Sequence, residues 1–330
     1  MMNLSMMQKV VATVDLEWKS PLAEKILESW GYDEGEVYYF RASANFLFVF
    51  KREGKHYFLR FSHSSEKNLA LLEAEMEILE YLRKQPVRVA LPVKSRNEQL
   101  IETVETELGT FYAVVFEALP GKQYETEELE PGQFFTWGSA LGKLHEVFKS
   151  MPETYRLNRE SWRDQLSNVQ NLLPVEETAA FEELNQILNW AQSLEVTNDN
   201  FGLIHFDFEL DNQRWEDDQI GILDFDDCVN HWYAADIAFA LRDLFQNKVD
   251  LDNELVQEFI SGYKSETELD LLLLQDLSWF RRMHNLVTFS RLLQAIDIPA
   301  SDAHPEWLAN LRVKLLNRME QYRASFSLIG

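Results

Sequence analysis

Asp207, Asn212 and Asp224 are the side chains whose types and spacing could do chemistry. They lie in Leu203-Ile204-His205-Phe206-Asp207-Phe208-Glu209-Leu210-Asp211-Asn212, followed by Gln213 to Trp215, a polar turn Glu216 to Gln219, and Ile220-Gly221-Ile222-Leu223-Asp224-Phe225-Asp226-Asp227. With the turn centred near Asp218, the flanking strands pair so that positions 213 and 223 face each other and Asn212 neighbours Asp224. An amide oxygen beside a carboxylate suits a hard cation such as Mg²⁺, which takes few protein ligands and completes its shell with water and phosphate. Asp207 lies on the approaching loop, placed to accept a proton from a hydroxyl or to orient it. The acidic pair Asp226 and Asp227 can be read as metal or substrate ligands or as solvated charge.

These residues need a scaffold, and the patterning predicts a β-rich first third. A helix over Pro21 to Trp30 starts at Ser20-Pro21. Strands follow at Val37 to Arg41, Asn45 to Lys51 and Lys55 to Phe61, the last two forming a hairpin around Arg52-Glu53-Gly54. Leu72, Met76, Leu79 and Leu82 recur at helical spacing within Glu66 to Arg83, which Pro86 ends. Short strands are expected at Ala90 to Lys94, Glu98 to Thr103 and Gly109 to Phe116. Beyond Pro131 helices dominate: Phe134 to Phe148, Trp162 to Leu172, Ala179 to Leu194, Tyr233 to Phe245, Glu254 to Tyr263, Leu269 to Ala295 and Pro305 to Tyr322. The expected class is α+β with two lobes and a ligand cleft between them.

At 330 residues the chain exceeds what one small core requires, and 46% hydrophobic with 26% charged residues fits a globular protein. The net charge of −24 disfavours nucleic acid and anionic membranes as partners. No apolar run approaches the ~20 residues of a membrane span. The single cysteine, Cys228, closes no intrachain bridge, and Met1 to Trp18 lacks a signal peptide's cationic start, so a cytoplasmic location is expected. His145, His205 and His231 lack metal-ligand spacing, which argues against zinc.

The pattern His205-x-Asp207-x-x-x-x-Asn212, with an apolar strand ending in Asp224, resembles the catalytic segment of the aminoglycoside phosphotransferase and choline kinase superfamily, which shares the protein-kinase fold. The resemblance implies roles for named positions. His205 is the structural histidine that opens the loop, Asp207 the catalytic base, and Asn212 and Asp224 the metal ligands. Phe206 departs from the glycine usual there. Arg60, in Phe58-Leu59-Arg60-Phe61, matches the basic residue of the third strand that meets the nucleotide phosphates. Glu75, on the apolar stripe of the next helix, is its expected ion-pair partner. Ser43-Ala44-Asn45 resembles the nucleotide-positioning loop but lacks a glycine-rich cradle. Val114 to Gly121 resembles the hinge, with the Glu117 carbonyl and Leu119 amide on the adenine edge. Leu141-Gly142-Lys143-Leu144-His145 and Asp236-Ile237-Ala238 also match, so the resemblance spans roughly Tyr38 to Leu244.

The implied architecture is a β-rich N-lobe over 1–116 with one αC-type helix, a hinge over 117–121 and a helical C-lobe over 122–330 that carries the catalytic loop and hairpin 203–227. The implied activity uses ATP and Mg²⁺ to phosphorylate a hydroxyl of a small acceptor such as an aminoglycoside, amino alcohol or related metabolite, and the net charge of −24 with Asp211, Asp226 and Asp227 around the motif favours a cationic one. A protein kinase is disfavoured, because Glu209 stands where such enzymes place the catalytic-loop lysine and no Gly-rich loop, Asp-Phe-Gly or Ala-Pro-Glu signature is present. The alternative is a nucleotide-binding pseudokinase or assembly protein without turnover. Acceptor identity, nucleotide preference and oligomeric state stay open.

Overall fold

A computed structural model describes residues 1–245 and 248–327; residues 328–330 of the expected C-lobe, and 246–247, lie outside the described residues. Two helices, α1 (Leu4–Val11) and α2 (Pro21–Leu27), precede the first strands. Ser20 starts α2 as expected, its Oγ accepting from the Ala23 amide at 3.4 Å ahead of Pro21 in the first turn. Strands β1 (Val37–Ala42), β2 (Phe46–Arg52) and β3 (Lys55–His63) form an antiparallel meander. Helix α3 (Leu69–Leu82) follows, capped by Asn68. The chain then continues through β4 (Arg88–Val89), β5 (Pro92–Val93), β6 (Glu102–Thr106) and β7 (Gly109–Glu117). The main sheet is antiparallel in the order β1-β2-β3-β7-β5, with β6 also paired to β7.

The C-lobe is built from α4 (Pro131–Ser150), α5 (Glu153–Arg156), α6 (Trp162–Leu172) and α7 (Thr178–Ser193), then β8 (Phe201–Ile204), β9 (Gln213–Glu216), β10 (Gln219–Ile222) and β11 (Val229–Trp232). Helices α8 (Tyr233–Ala240), α9 (Glu254–Lys264), α10 (Leu271–Leu274), α11 (Leu277–Ala295) and α12 (Glu306–Ser327) complete it. A Cβ on Gly138 of α4 would stand 1.9 Å from the Phe259 carbonyl oxygen of α9, and one on Gly262 of α9 equally 1.9 Å from that of Phe135, so glycine alone permits this helix contact.

Two apolar cores divide the molecule. One joins α1, α2 and the main sheet; the other holds the C-lobe and also the buried face of α3, Leu72, Met76, Leu79 and Leu82. Helix α3 follows an N-lobe strand but packs across the cleft, which fixes Glu75 relative to the C-lobe.

Several expectations change. The helix expected over Leu269 to Ala295 starts later, at the Asp270 cap, which accepts from the Leu272 amide at 3.0 Å, and breaks at Gln275 and Asp276, where the Asp276 backbone at φ −94° and ψ 5° leaves the helical range and begins a new first turn. Helix α1 and strand β11 went unforeseen. Strand β11 pairs with β8, Val229 opposite Ile204 and Trp232 opposite Phe201, and ties the two ends of the chemical segment together. The hairpin register also differs by one: Gln213 faces Ile222, and Leu223 N–H donates to the Asn212 carbonyl at 2.9 Å. The turn is the two residues Asp217 and Asp218, with Asp217 at φ 52°, so the hairpin centre falls before Asp218.

Candidate active site

A one-residue register shift should send Asp224 to the opposite face from Asn212. Asp224 escapes this because its φ of 59° leaves the strand alternation, and its carboxylate enters the same cavities as Asn212. Asp tolerates this left-handed backbone better than most residues do.

Asp236, fully buried on α8, holds the loop that precedes Asp207. Its two carboxylate oxygens accept the His205 and Phe206 amides, both at 2.8 Å, and His145 from α4 binds it at 3.0 Å. The Tyr263 hydroxyl meets the other nitrogen of His145 at 2.8 Å, so His145 donates to Asp236 and accepts from Tyr263. Burial lowers the pKa of His145, which favours the neutral ring this arrangement uses. His205 donates from Nε2 to the Leu223 carbonyl at 2.9 Å and couples the Asp207 loop to the Asp224 loop. His145 and Asp236 therefore work as a brace behind the site.

Phe206 takes φ 73°, a conformation open to glycine and costing other residues about 1–2 kcal/mol. Its ring offsets this by packing edge-on to Phe239 at 5.0 Å and beside His284 at 5.5 Å. The loop thus keeps a glycine-like backbone, and the ring becomes part of a cavity wall.

Asp207 accepts from Asn212 Nδ2 at 3.0 Å and from Arg242 Nη1 at 3.3 Å. The bond from Asn212 Nδ2 leaves that amide's oxygen for another ligand. The Asp207 side chain is 34% exposed to the cleft. Burial of the rest pushes its carboxyl above the ordinary carboxylate range, against the pull of Arg242. Arg242, in the turn after α8, also pairs with Glu209. Sequence reading missed Arg242, because no local pattern marks a residue that reaches the site from six positions beyond Asp236.

Arg60 is buried and forks onto Glu75, Nη1 to Oε1 at 2.9 Å and Nη2 to Oε2 at 2.5 Å, while Nη1 also meets Asp224 at 3.2 Å. Burial disfavours its charge, but Glu75 and Asp226 hold it protonated. Burial also lifts the Asp224 carboxyl, against Arg60. Asp226 faces inward: Lys67 pairs with it and Asn45 Nδ2 donates to it at 3.1 Å. Although burial opposes it, Lys67 and Arg60 keep Asp226 well below the usual carboxylate range. Asp227 pairs with Arg291 at 3.2 Å.

Two adjoining cavities share Asn212, Asp211 and Asp224. The first, apolar and about 100 Å³, is lined by Arg60, Glu117 and Leu119 together with Leu47, Phe58 and Phe116. The second, about 400 Å³, is lined by Asp207, Ser43 and Arg242 together with α1, α11 and α12 residues. Asn45 and Glu75 line neither cavity; Asn45 is buried between Ser62 and Asp226, and Glu75 stands behind Arg60. Asn212 and Asp224 offer hard oxygen donors in one cavity and so fit Mg²⁺. Among the described residues no group of three or more His, Cys, Asp or Glu side chains could hold a metal, so this pair would share a cation with phosphate oxygens and water.

The profile of the phosphotransferase enzyme family matches residues 40–272. The chain belongs to that family. A curated relative, amicoumacin kinase of Bacillus subtilis (strain 168), is 25% identical over 303 residues, 87% of this chain and 89% of that protein. Among solved structures, an amicoumacin kinase in complex with AMP-PNP, Ca²⁺ and Ami superposes with a TM-score of 0.77 at 21% identity, covering 98% of this chain and 99% of that one. A microcompartment-associated aminopropanol kinase gives a TM-score of 0.68 at 20% identity over 92% of this chain and 98% of its own. The fold is therefore the two-lobed kinase-like one, and the protein is a phosphotransferase of a small-molecule kinase family. No described helix is long and apolar enough to cross a membrane.

Proposed function

We propose that this protein is a cytoplasmic kinase that uses Mg-ATP to phosphorylate a hydroxyl of a small cationic acceptor held in the larger cavity. The observation that carries this reading is the meeting of two networks in one cleft: Asp207 with Asn212 and Arg242 on one side, Arg60 with Glu75 and Asp224 on the other. The base would sit in the smaller cavity against Glu117 and Leu119, and Arg60 would face the phosphates.

Asn212 and Asp224 would hold Mg²⁺, which neutralises phosphate charge when bound. Asp207, on the acceptor side, orients the hydroxyl and takes its proton as the new oxygen–phosphorus bond forms and the bond to the ADP oxygen breaks. In the second cavity the carboxylates of Asp207, Glu209, Asp211, Asp224, Asp226 and Asp227 outnumber the arginines Arg41, Arg242, Arg291 and Arg318, and Leu4, Met7, Leu311 and Leu315 lie beside them, a lining that suits an amine-bearing acceptor with an apolar portion. Relatives named for amicoumacin and aminopropanol support that class.

Mg-ATP should raise the melting temperature by mass action, and EDTA should remove most of the gain. A screen of amino alcohols, amino sugars and aminoglycosides for ADP release then finds the acceptor. An unchanged melting temperature at saturating Mg-ATP would refute the kinase reading, and ADP release by anionic acceptors alone would refute the acceptor class.

A further inference from the structure

The main sheet has an irregularity at its cleft edge. Tyr39 pairs with Phe48 but Arg41 pairs with Leu47, so Phe40 is an extra residue, a bulge in β1. Regular pairing would place Phe40, not Arg41, opposite Leu47; the bulge re-aims Arg41 to the face that Leu47 presents. Leu47 in turn pairs with Arg60 on β3. Arg41, Leu47 and Arg60 thus form one row across three strands, with Arg41 about 10 Å from Arg60 at the usual strand spacing of roughly 4.8 Å.

Arg41 lines both cavities and marks their boundary. Arg214, on β9, lines the smaller one from the opposite lobe. Burial and the nearby charge of Arg41 both lower the Arg214 pKa, so two guanidinium groups converge. Three other arginines at the junction face carboxylates: Arg60 has Glu75 and Asp224, Arg242 has Asp207 and Glu209, and Arg291 has Asp227, while Arg318, on the far wall of the larger cavity, binds the Tyr322 hydroxyl. Arg41 and Arg214 pair with no carboxylate among the described residues, Asp211 on the same wall included, and Arg41 Nε is buried without a hydrogen-bond partner. In a chain of net charge −24, two like charges left together without acids describe a place for an anion.

We infer that Arg41 and Arg214 clamp the polyphosphate of the nucleotide, Arg41 supplying from a side chain the donors that a glycine-rich loop supplies from its backbone. This rests on the proposed use of ATP. Ser43-Ala44-Asn45 has no glycine to bring backbone amides close to phosphate, and Asn45 is committed to Asp226 and Ser62. Arginine's planar fork suits phosphate oxygens and stays charged in this partly buried position.

Calorimetry on the full chain with Mg²⁺ compares ATP and adenosine as ligands for the wild type, Arg41→Gln, Arg41→Lys and Arg214→Gln, with melting curves confirming that each folds. Either glutamine variant should weaken ATP about 10- to 100-fold, the range of one lost charge-assisted contact, and weaken adenosine, which carries no phosphate, far less than ATP. Arg41→Lys keeps the charge but not the fork and should recover part of the loss. Equal losses for ATP and adenosine, or unchanged ATP affinity in the folded variants, overturn the clamp while leaving the kinase reading intact. If the wild type itself binds no Mg-ATP, it is the kinase reading that fails.

Discussion

The smaller cavity takes its N-lobe wall from neighbouring strands: Leu47, Phe58, Arg60 and Phe116 lie on β2, β3 and β7, whose registers place them side by side. The larger cavity is assembled from distant parts of the chain, with Leu4 and Met7 from α1, His284 and Thr288 from α11, and Leu311 and Leu315 from α12. Ser5 on α1 binds Asp297 beyond α11 through its backbone amide at 2.9 Å, and Leu308 of α12 is buried in the N-lobe core, so both ends of the chain close this side of the cleft. A wall made by strand register is constrained by the sheet itself. One made by helix packing can change residue by residue, which makes the acceptor side the place where specificity can vary while the chemistry is kept.

The largest expected effects come from the junction the cavities share. Asp207→Asn preserves shape and leaves Asn212 and Asp224 in place, so turnover should fall by roughly 10² to 10⁴-fold with Mg-ATP affinity little changed. Asp224→Ala should lose both turnover and Mg-dependent nucleotide binding, because it removes a carboxylate from the cation's donors. Calorimetry beside ADP release reads both variants. Near-wild-type turnover in Asp207→Asn would mean that another group accepts the proton.

A smaller effect tests whether the cavities work separately. Leu311→Ala and Leu315→Ala remove apolar wall from the larger cavity only, so the acceptor KM should rise about 3- to 10-fold, consistent with partial loss of one buried leucine's contact, while Mg-ATP affinity holds. A parallel loss of ATP affinity would show that the acceptor wall also sets the lobe arrangement.

This contrast also explains what the sequence revealed. The strands of the N-lobe and the helix bearing Glu75 were legible because period and turn residues are local signals, and the Arg60 to Glu75 pair followed from a carboxylate on an apolar stripe. The spacing of Asp207, Asn212 and Asp224 was legible too, although the hairpin register was off by one and the positive φ of Asp224 could not be foreseen from strand alternation. Arg242, the bulge at Phe40 and the roles of α1 and α12 were hidden, since each depends on a partner far along the chain. Asp226 illustrates the same limit: only the fold shows that Lys67 and Asn45 turn it inward.

Arg242 provides the finest test, because it touches the chemical side of the junction without belonging to any motif. Asp207 can accept a proton only when ionised, so kcat/KM should be full above its pKa and fall as pH drops through it. Burial raises that pKa, and the acid limb should therefore lie at higher pH than an ordinary aspartate would give. Arg242 opposes the rise. Arg242→Met removes this opposition and also strips Glu209 of its partner, leaving a second negative charge beside Asp207. Both changes favour the protonated acid, so the limb should move to still higher pH, with turnover on the plateau close to wild type. Arg242→Lys keeps a positive charge and should hold the limb near its original place. A plateau that falls in Arg242→Met while the limb stays fixed would make Arg242 a packing residue, and a limb that moved to lower pH would reverse the electrostatic account of Asp207.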